Sequence, residues 1–135
     1  TRVAYAILRK SALAGLKTYA VTGSKLRQAA SQAHSDTSGK ARGILDASRL
    51  CQALLLDDVG KGSPTEAGDE MLFDLLDERR AKKRVTFWTA NGNGEWIATR
   101  YKADRGPAIA VRLANLAGCY AKGTGRIFSE MTQPE

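Results

Sequence analysis

Two adjacent carboxylates follow an apolar run in the middle of the chain. Ala53 to Leu56 is continuously apolar, and Asp57 and Asp58 come directly after it. Such a run is typical of a strand that is buried on both faces of a parallel sheet, and ligands collect at the carboxyl edge of such sheets. Asp57 could hold Mg²⁺ there while Asp58 polarises an attacking water, which are two of the parts that phosphoryl transfer needs. A strand that simply stops at a polar turn is the alternative.

A further polar side chain follows the next predicted strand. The segment from Arg84 to Thr89 carries bulky residues on both faces, which again indicates a central strand, and Asn91 comes after it. An amide at the tip of a neighbouring strand could orient a water molecule or contact a terminal phosphate. Asn before Gly is also a common turn sequence, so a turn is the alternative. Taken together, the two strand tips favour one shared site.

The elements that must position these residues alternate between helices and strands. Apolar spacing predicts a helix over Val3–Leu16, and the β-branched and aromatic run Thr18–Val21 predicts a strand. Ser63, Pro64 and Glu66 match an N-cap, a first-turn proline and a capping-box carboxylate, and so predict the start of a long helix. The remaining predicted elements are a helix beginning near Ser24, helices over Ala41–Leu50 and from Pro107 to Gly118, and a strand over Arg126–Phe128. The alternation indicates a layered α/β fold with a largely parallel sheet.

Length and composition limit the class of protein. The 135 residues suit one globular domain. No apolar run approaches the ~20 residues that a membrane span needs, and the start lacks the layout of a secretory signal. We therefore expect a cytoplasmic protein that does not enter a membrane. Cys51 and Cys119 fit no metal-ligand spacing, which indicates two buried thiols rather than a disulfide scaffold or a zinc site.

The net charge of +7 is organised in three blocks. Residues 1–50 carry nine Lys and Arg against two acids, residues 51–78 carry one against eight, and residues 79–135 carry eleven against four. The acidic block is either a solvated helix face or a set of ligands for a divalent cation. The basic flanks suit phosphate groups, whether of a nucleotide or of a nucleic-acid backbone.

The order of these segments resembles the ATPase core of AAA+ helicase loaders and transposition helper ATPases of the DnaC and IstB type. The resemblance spans about residues 1–118 and rests on LLLDDVG, a capped helix ending in LLDERRAKK, the strand VTFWTAN and the helix RGPAIAVRLANLA. It implies a P-loop NTPase-like α/β/α fold that uses ATP and Mg²⁺. In that family LLLDDVG would be the Walker B strand and TAN would be sensor 1.

The resemblance assigns a role to each of four residues. It implies that Asp57 binds Mg²⁺, that Asp58 activates water and that Asn91 is the sensor. Asp58 stands where most AAA+ proteins have Glu, and its shorter side chain bears on the hydrolysis rate. Arg112 corresponds to the arginine finger, which implies a homo-oligomer whose site is shared between subunits. Helix geometry places Arg112 about 60° from the centre of the predicted apolar stripe, and a solvating surface arginine is the alternative.

The largest departure from the family is the absence of a GxxxxGK[ST] motif. Without that loop we do not expect these residues alone to bind ATP tightly. Thr1 corresponds to the last residue of the motif, which implies that Thr1 contacts Mg²⁺ and nucleotide. We therefore expect residues 1–135 to form a single AAA+ core domain, truncated at its N-terminus and without a separate lid. Its sheet would lack the first strand and keep a gap unless another segment fills it.

Partners also follow from the resemblance. The family acts on single-stranded DNA and on a replicative helicase or a transposase. Lys25 and Arg27, on the helix that begins near Ser24, are the predicted DNA contacts, with a solvated basic face as the alternative. Two function classes remain open at this point. One is an ATP-hydrolysing module that loads or remodels a DNA-bound partner, and the other is a non-enzymatic basic scaffold that binds nucleic acid and has lost nucleotide chemistry.

Overall fold

The computed structural model describes residues 1–122 and 126–130, with side chains as far as Leu116. Helices and strands alternate along this part of the chain, as the sequence predicts. In chain order the elements are α1 (Arg2–Leu13), β1 (Thr18–Thr22), α2 (Gly23–Gln32), α3 (Lys40–Leu50), β2 (Ala53–Val59), α4 (Glu66–Ala81), β3 (Val85–Ala90), α5 (Gly94–Thr99), α6 (Gly106–Ala114), β4 (Ala117–Lys122) and β5 (Arg126–Glu130).

The described strands form one sheet in which spatial order equals sequence order, β1-β2-β3-β4-β5. The first four strands are parallel and β5 is antiparallel to β4. The gap expected in this sheet is closed, because β4 pairs directly with β3 in a register that aligns Phe87 with Ala117. The strand that fills it, β4, begins at Ala117, within the range that the sequence predicted as the last helix.

The helices lie in two layers on opposite faces of the sheet. Successive parallel strands joined by right-handed crossovers place their connecting helices on one side. Leu54 and Leu56 of β2 accordingly pack in one core cluster with apolar side chains of α2, α4, α5 and α6. Ala53 and Leu55 point to the other face, where they pack against α1. Ala53, Leu54 and Leu55 are fully buried, which confirms that β2 is buried on both faces.

Several element boundaries differ from the expectation. The N-cap of α4 is Thr65, whose hydroxyl accepts a hydrogen bond from the Gly68 amide at 3.1 Å, rather than Ser63. Helix α6 ends at Ala114, because the next residues enter β4. Cys51 is buried and free, as predicted, whereas the side chain of Cys119 lies outside the described residues.

Arg79 is a fully buried arginine that the sequence did not single out. Its guanidinium donates to the Thr86 hydroxyl at 2.8 Å, to the carbonyl oxygens of Ser48 and Cys51 at 2.9 Å each, and to that of Val85 at 2.6 Å. Burial lowers the pKa of Arg79 from its ordinary value. These bonds fasten α4 to the end of α3 and to the start of β3. Within the described part of the chain, no helix has both the length and the apolar character that a bilayer crossing requires.

Candidate functional site

The predicted carboxylates lie in an irregular stretch at the end of β2. β2 and β3 stay in register as far as Leu56 and Trp88, after which the register shifts and Val59 aligns with Ala90. Asp57 and Asp58 occupy this shift, and Asp58 has a positive φ of 54°. The left-handed backbone region is uncommon for a residue other than glycine and recurs at functional sites. Within it Asp57 is buried whereas Asp58 is half-buried.

Asp57 is the centre of a small polar cluster. It is 6% exposed, and its Oδ1 accepts hydrogen bonds from the Thr89 hydroxyl at 2.6 Å and from the Thr1 hydroxyl at 3.3 Å. The Thr89 hydroxyl also accepts from the Asp58 amide at 2.9 Å. A buried carboxylate is costly unless such donors or a cation satisfy it. The structure therefore joins Thr1, Asp57 and Thr89 from three different elements.

Thr1 reaches this cluster because of where α1 lies. Thr1 is the N-cap residue of α1, and α1 is held against the sheet by the burial of Ala4 and Leu8 on β2. The placement of Thr1 beside Asp57 is the one that the resemblance implies for a hydroxyl and a carboxylate that share Mg²⁺. Thr89 is the member of the cluster that was not predicted from the sequence. It could have been found as a hydroxyl residue near the end of the strand that follows the carboxylate pair.

Asp58 differs from its neighbour in being more exposed. Its carboxylate Oδ2 lies 3.6 Å from the Lys61 ammonium nitrogen, and the side chains are 28% and 65% exposed respectively. An ion pair of this kind contributes little to stability, so the Asp58 carboxylate can change partners at little cost. Residues 58–62 form a turn, here called the β2 turn, in which the Lys61 amide donates to the Asp58 carbonyl at 3.1 Å.

Tyr5 lies close enough to this cluster for the two carboxylates to affect its pKa. Partial burial raises the pKa of the Tyr5 hydroxyl, and the negative charges of Asp57 and Asp58 raise it further. Tyr5 is half-exposed, one helical turn after Thr1 on α1. Nothing in the sequence connected Tyr5 to the carboxylates, because that proximity depends on how α1 crosses the sheet.

Asn91 follows directly after β3, at the tip of the strand beside the carboxylates. It is exposed, and its side chain makes no hydrogen bond to the residues that the structure describes. The turn that begins at Asn91, here called the β3 turn, ends at Asn93, whose side chain caps α5 by accepting from the Trp96 amide at 3.0 Å. The structure thus puts Asn91 on the same edge of the sheet as Asp57 without joining the two.

The donor set fits Mg²⁺ in chemistry. Mg²⁺ prefers oxygen ligands and is usually held through one or two carboxylates, with waters and substrate phosphates completing the octahedron. The described residues offer the Asp57 carboxylate, the Thr1 and Thr89 hydroxyls and the nearby Asp58 carboxylate. Both hydroxyls bond Oδ1 of Asp57, which leaves Oδ2 to a cation. Among residues with described side chains there is no group of three or more His, Cys, Asp and Glu that could hold a metal by themselves.

Arg112 lies on α6 and is engaged within its own chain. Its Nε and Nη2 atoms donate to the two carboxylate oxygens of Asp77 on α4, at 2.7 and 3.0 Å. Its guanidinium also stacks over the Phe73 ring at 3.7 Å. This bidentate pair lowers the pKa of Asp77. Arg112 flanks the packed face of α6, as helix geometry predicts, but its charge is already paired, and a role toward a neighbouring subunit requires it to leave Asp77.

The two predicted DNA contacts have different environments. Lys25 is exposed on the first turn of α2. Arg27 is only 6% exposed, lies 3.6 Å from the buried Asp69 carboxylate and stacks on the Tyr101 ring at 4.6 Å. A guanidinium so enclosed is not free to reach a DNA phosphate. We therefore correct the assignment of Arg27, which is an interior residue, whereas Lys25 stays a predicted contact.

The fold relates this chain to a known protein, whereas its sequence does not. No protein-family model matches the chain, and no curated protein matches it. Among solved structures, that of a DNA replication initiation factor matches with a TM-score of 0.63 at 13% sequence identity. The match covers 84% of this chain but only 33% of the initiation factor's chain. At that identity the likeness concerns the fold alone. The chain therefore shares a layered α/β fold with part of a DNA replication initiation factor.

Proposed function

We propose that this chain is the core of an AAA+-type ATPase that acts in DNA replication. The observation that carries the proposal is the buried Asp57 carboxylate, which accepts hydrogen bonds from Thr1 and Thr89 at the carboxyl edge of the sheet. Ligands of open α/β sheets bind at that edge. The fold likeness to a DNA replication initiation factor supports the setting in replication.

Each polar residue of the site has a task in this proposal. Asp57 and Thr1 hold Mg²⁺, which when bound neutralises charge on the phosphates. Asp58 leaves Lys61 and accepts a proton from the attacking water, and Asn91 orients that water or contacts the terminal phosphate. Thr89 keeps the Asp57 carboxylate in place through its 2.6 Å hydrogen bond. These tasks amount to positioning and electrostatic stabilisation, which account for most of the catalysis of phosphoryl transfer.

The finer assignment is a helicase loader or transposition helper of the DnaC and IstB type. In that setting the partners are single-stranded DNA and a replicative helicase or a transposase, and the protein works in the cytoplasm as a homo-oligomer. Arg112 would complete the site of a neighbouring copy after leaving Asp77. The motifs LLLDDVG and VTFWTAN support this assignment.

ATP hydrolysis by the protein as its gene encodes it tests the proposal. Asp58→Asn should lower kcat by roughly 100-fold or more, since general base catalysis contributes about that much. Asp57→Asn should weaken Mg²⁺-dependent nucleotide binding as well. Asp74→Asn, an exposed acid of α4 away from the site, is the matched control. Turnover that is unchanged in both site variants would remove the assignment.

The proposed finger needs a separate test, because Arg112 is paired with Asp77. Arg112→Ala should abolish turnover but regain part of it when mixed with Asp57→Asn subunits, since each variant supplies what the other lacks. Asp77→Asn releases Arg112 and should leave turnover unchanged or raise it. No recovery at any mixing ratio would contradict a site shared between subunits.

DNA binding is tested at Lys25. Lys25→Ala should weaken binding to single-stranded DNA and reduce the salt slope by about 1, as loss of one phosphate contact does. Lys102→Ala, which removes an exposed lysine paired with Glu66 at 3.3 Å, is the control. An unchanged salt slope would place the DNA contact elsewhere.

A second candidate function is a basic scaffold that binds nucleic acid without nucleotide chemistry. The observation that favours it is the net charge of +7 with two strongly basic segments, which suits a phosphate backbone by itself. This candidate predicts DNA binding that is the same with and without Mg²⁺-ATP, and no change on Asp58→Asn.

A further inference from the structure

Two arginines hold the β2 turn by its carbonyl oxygens. Arg27 Nη1 donates to the carbonyls of Lys61 and Gly62 at 3.0 and 3.1 Å. Arg100 Nε donates to the Gly60 carbonyl at 2.8 Å, and its Nη2 donates to that of Gly62 at 3.3 Å. Arg27 also donates to the Arg100 carbonyl at 2.8 Å. Carbonyls of a surface turn would ordinarily face water, so these charge-assisted bonds restrict the turn that follows Asp58.

One indole packs against both strand-tip turns. A Cβ on Gly60 would lie 2.9 Å from Cζ3 of Trp96, and a Cβ on Gly92 would lie 2.5 Å from Cγ and Cδ2 of the same ring. Real Cβ atoms do not approach other atoms so closely, so Trp96 occupies the space beside both glycines. Gly60 belongs to the β2 turn and Gly92 to the β3 turn. Trp96 therefore touches the turn after the carboxylates and the turn that begins at Asn91.

The Arg100 hydrogen bonds and the Trp96 packing both come from the short helix α5 and its C-cap. Trp96 is on α5, and Arg100 follows α5 as its C-cap residue. The Arg100 guanidinium also lies 5.6 Å from the centre of the Trp96 ring. Helix α5 starts directly after the β3 turn, so the two side chains that contact the β2 turn belong to a segment that begins at the β3 turn.

We propose that Trp96 and Arg100 are positioning residues that couple the β2 turn to the β3 turn, so that Asp58 and Asn91 adopt their reactive placements together. The proposal rests on the proposed function for its catalytic part, because Asp58 and Asn91 are the residues it positions. The coupling itself rests on the hydrogen bonds and the packing of α5 alone.

Kinetics of Arg100→Gln test the catalytic part on the protein as its gene encodes it. We expect kcat to fall roughly 10- to 100-fold, as for small misplacements of a reacting group, while KM for Mg²⁺-ATP changes by less than about twofold because Asp57 is untouched. In an Asp58→Asn background the same change should lower kcat by clearly less than in the wild type, because only the placement of Asn91 is then left to lose, and this non-additivity shows that Arg100 acts through Asp58. Arg105→Gln, a nearby arginine that does not contact the turn, is the control.

Hydrogen exchange of the same variants tests the coupling without any activity. Arg100→Gln and Trp96→Phe should each speed exchange of backbone amides in the β2 turn and also in the β3 turn, at least several-fold more than Arg105→Gln does. If Arg100→Gln does not fold, Arg100→Lys keeps the charge but cannot reproduce the fork of donors, and the same result is expected of it.

The outcomes separate the two proposals. Faster exchange confined to the β2 turn would overturn the coupling. A fall in kcat that is equally large in the Asp58→Asn background would overturn the positioning of Asp58. If Asp57→Asn and Asp58→Asn hydrolyse ATP as fast as the wild type, the proposed function is removed. Faster exchange in both turns would then still support the coupling.

Discussion

Arg79 carries its charge in the interior, and no carboxylate lies within ion-pair distance among the described residues. Its compensation comes from carbonyl oxygens, two of which belong to Ser48 and Cys51 at the end of α3. Helix C-termini carry partial negative charge, which suits a cation there. Arg79→Met should therefore lower the free energy of unfolding by roughly 3 kcal/mol or more, since several buried acceptors lose their donor.

Urea unfolding measures this cost against a neighbouring control. Arg80→Met changes the exposed arginine next to Arg79 on α4, and surface substitutions usually stay within about 0.5 kcal/mol. Equal urea midpoints for the two variants would mean that the carbonyls around residue 79 find water or other donors.

Tyr101 gives the protein a pH dependence in the alkaline range. Burial is the main cause that raises the pKa of Tyr101 from 10.0 to about 12. The unfolded tyrosine ionises first, so the neutral buried ring contributes stability that is complete below about pH 10 and is lost as pH rises to about 12. The loss should reach roughly 2–3 kcal/mol. Tyr101→Phe should remove this part of the decline in stability, as measured by urea unfolding between pH 9 and 12. Parallel stability curves for the two proteins would contradict the assignment.

The positions of candidate site residues were predictable from sequence where neighbours in the chain define them. Asp57 and Asp58 follow an apolar strand, and that local pattern located them. Arg27 could not be judged in the same way, because its burial depends on Asp69 and Tyr101, which come from other elements. The sequence around a basic helical residue is the same kind of sequence whether that residue faces solvent or pairs with a buried carboxylate.

At the scale of elements, Thr65 and Ser63 are the two candidates for the N-cap of α4. Thr65 accepts the Gly68 amide, whereas Ser63 lies outside the helix. Thr65→Ala should lower the free energy of unfolding by about 1 kcal/mol, and Ser63→Ala should leave it nearly unchanged. Thermal or urea unfolding of the pair checks this, and a larger cost at Ser63 would restore the cap that the sequence pattern suggested.

Most elements lie close to their predicted ranges, and two were missed. α1 and α3 have regular apolar spacing, and the short strands β1 and β2 are marked by β-branched, aromatic or continuously apolar residues. Helix α5 arose in a region with no periodic signal, and its N-cap Asn93 was part of a run that reads as a Gly-rich loop. β4 was missed because the apolar run beginning near Leu113 suits a helix or a strand equally, and pairing with β3 decides between them.

At the scale of the molecule, α1 is the one described helix on its face of the sheet. Leu8 is 8% exposed and packs on β2, whereas Leu13 near the helix end is 79% exposed. Leu8→Ala should lower the free energy of unfolding by roughly 2–3 kcal/mol, and Leu13→Ala by less than about 0.5 kcal/mol. Because α1 also carries Thr1 to Asp57, Leu8→Ala should weaken Mg²⁺ binding at the proposed site too. Equal effects of the two substitutions would show that α1 is not fastened through Leu8.

The fold class followed from the alternation of elements, but the strand order did not. Local patterns assign strands and helices, whereas the neighbour of each strand depends on contacts between distant segments. A gap in the sheet was expected from the family's strand order unless another segment filled it, and β4 fills it by pairing with β3.

The fit of Trp96 beside two glycines has a consequence for how this protein can change over evolutionary time. Neither Gly60 nor Gly92 can acquire even a methyl group while the indole is present. A residue smaller than tryptophan at position 96 would not release Gly92, because a Cβ on Gly92 would lie 2.7 Å from the Cβ of residue 96. Gly60 has a φ of 88°, which disfavours any other residue whatever stands at position 96. Both turns should therefore keep their glycines among descendants of this protein.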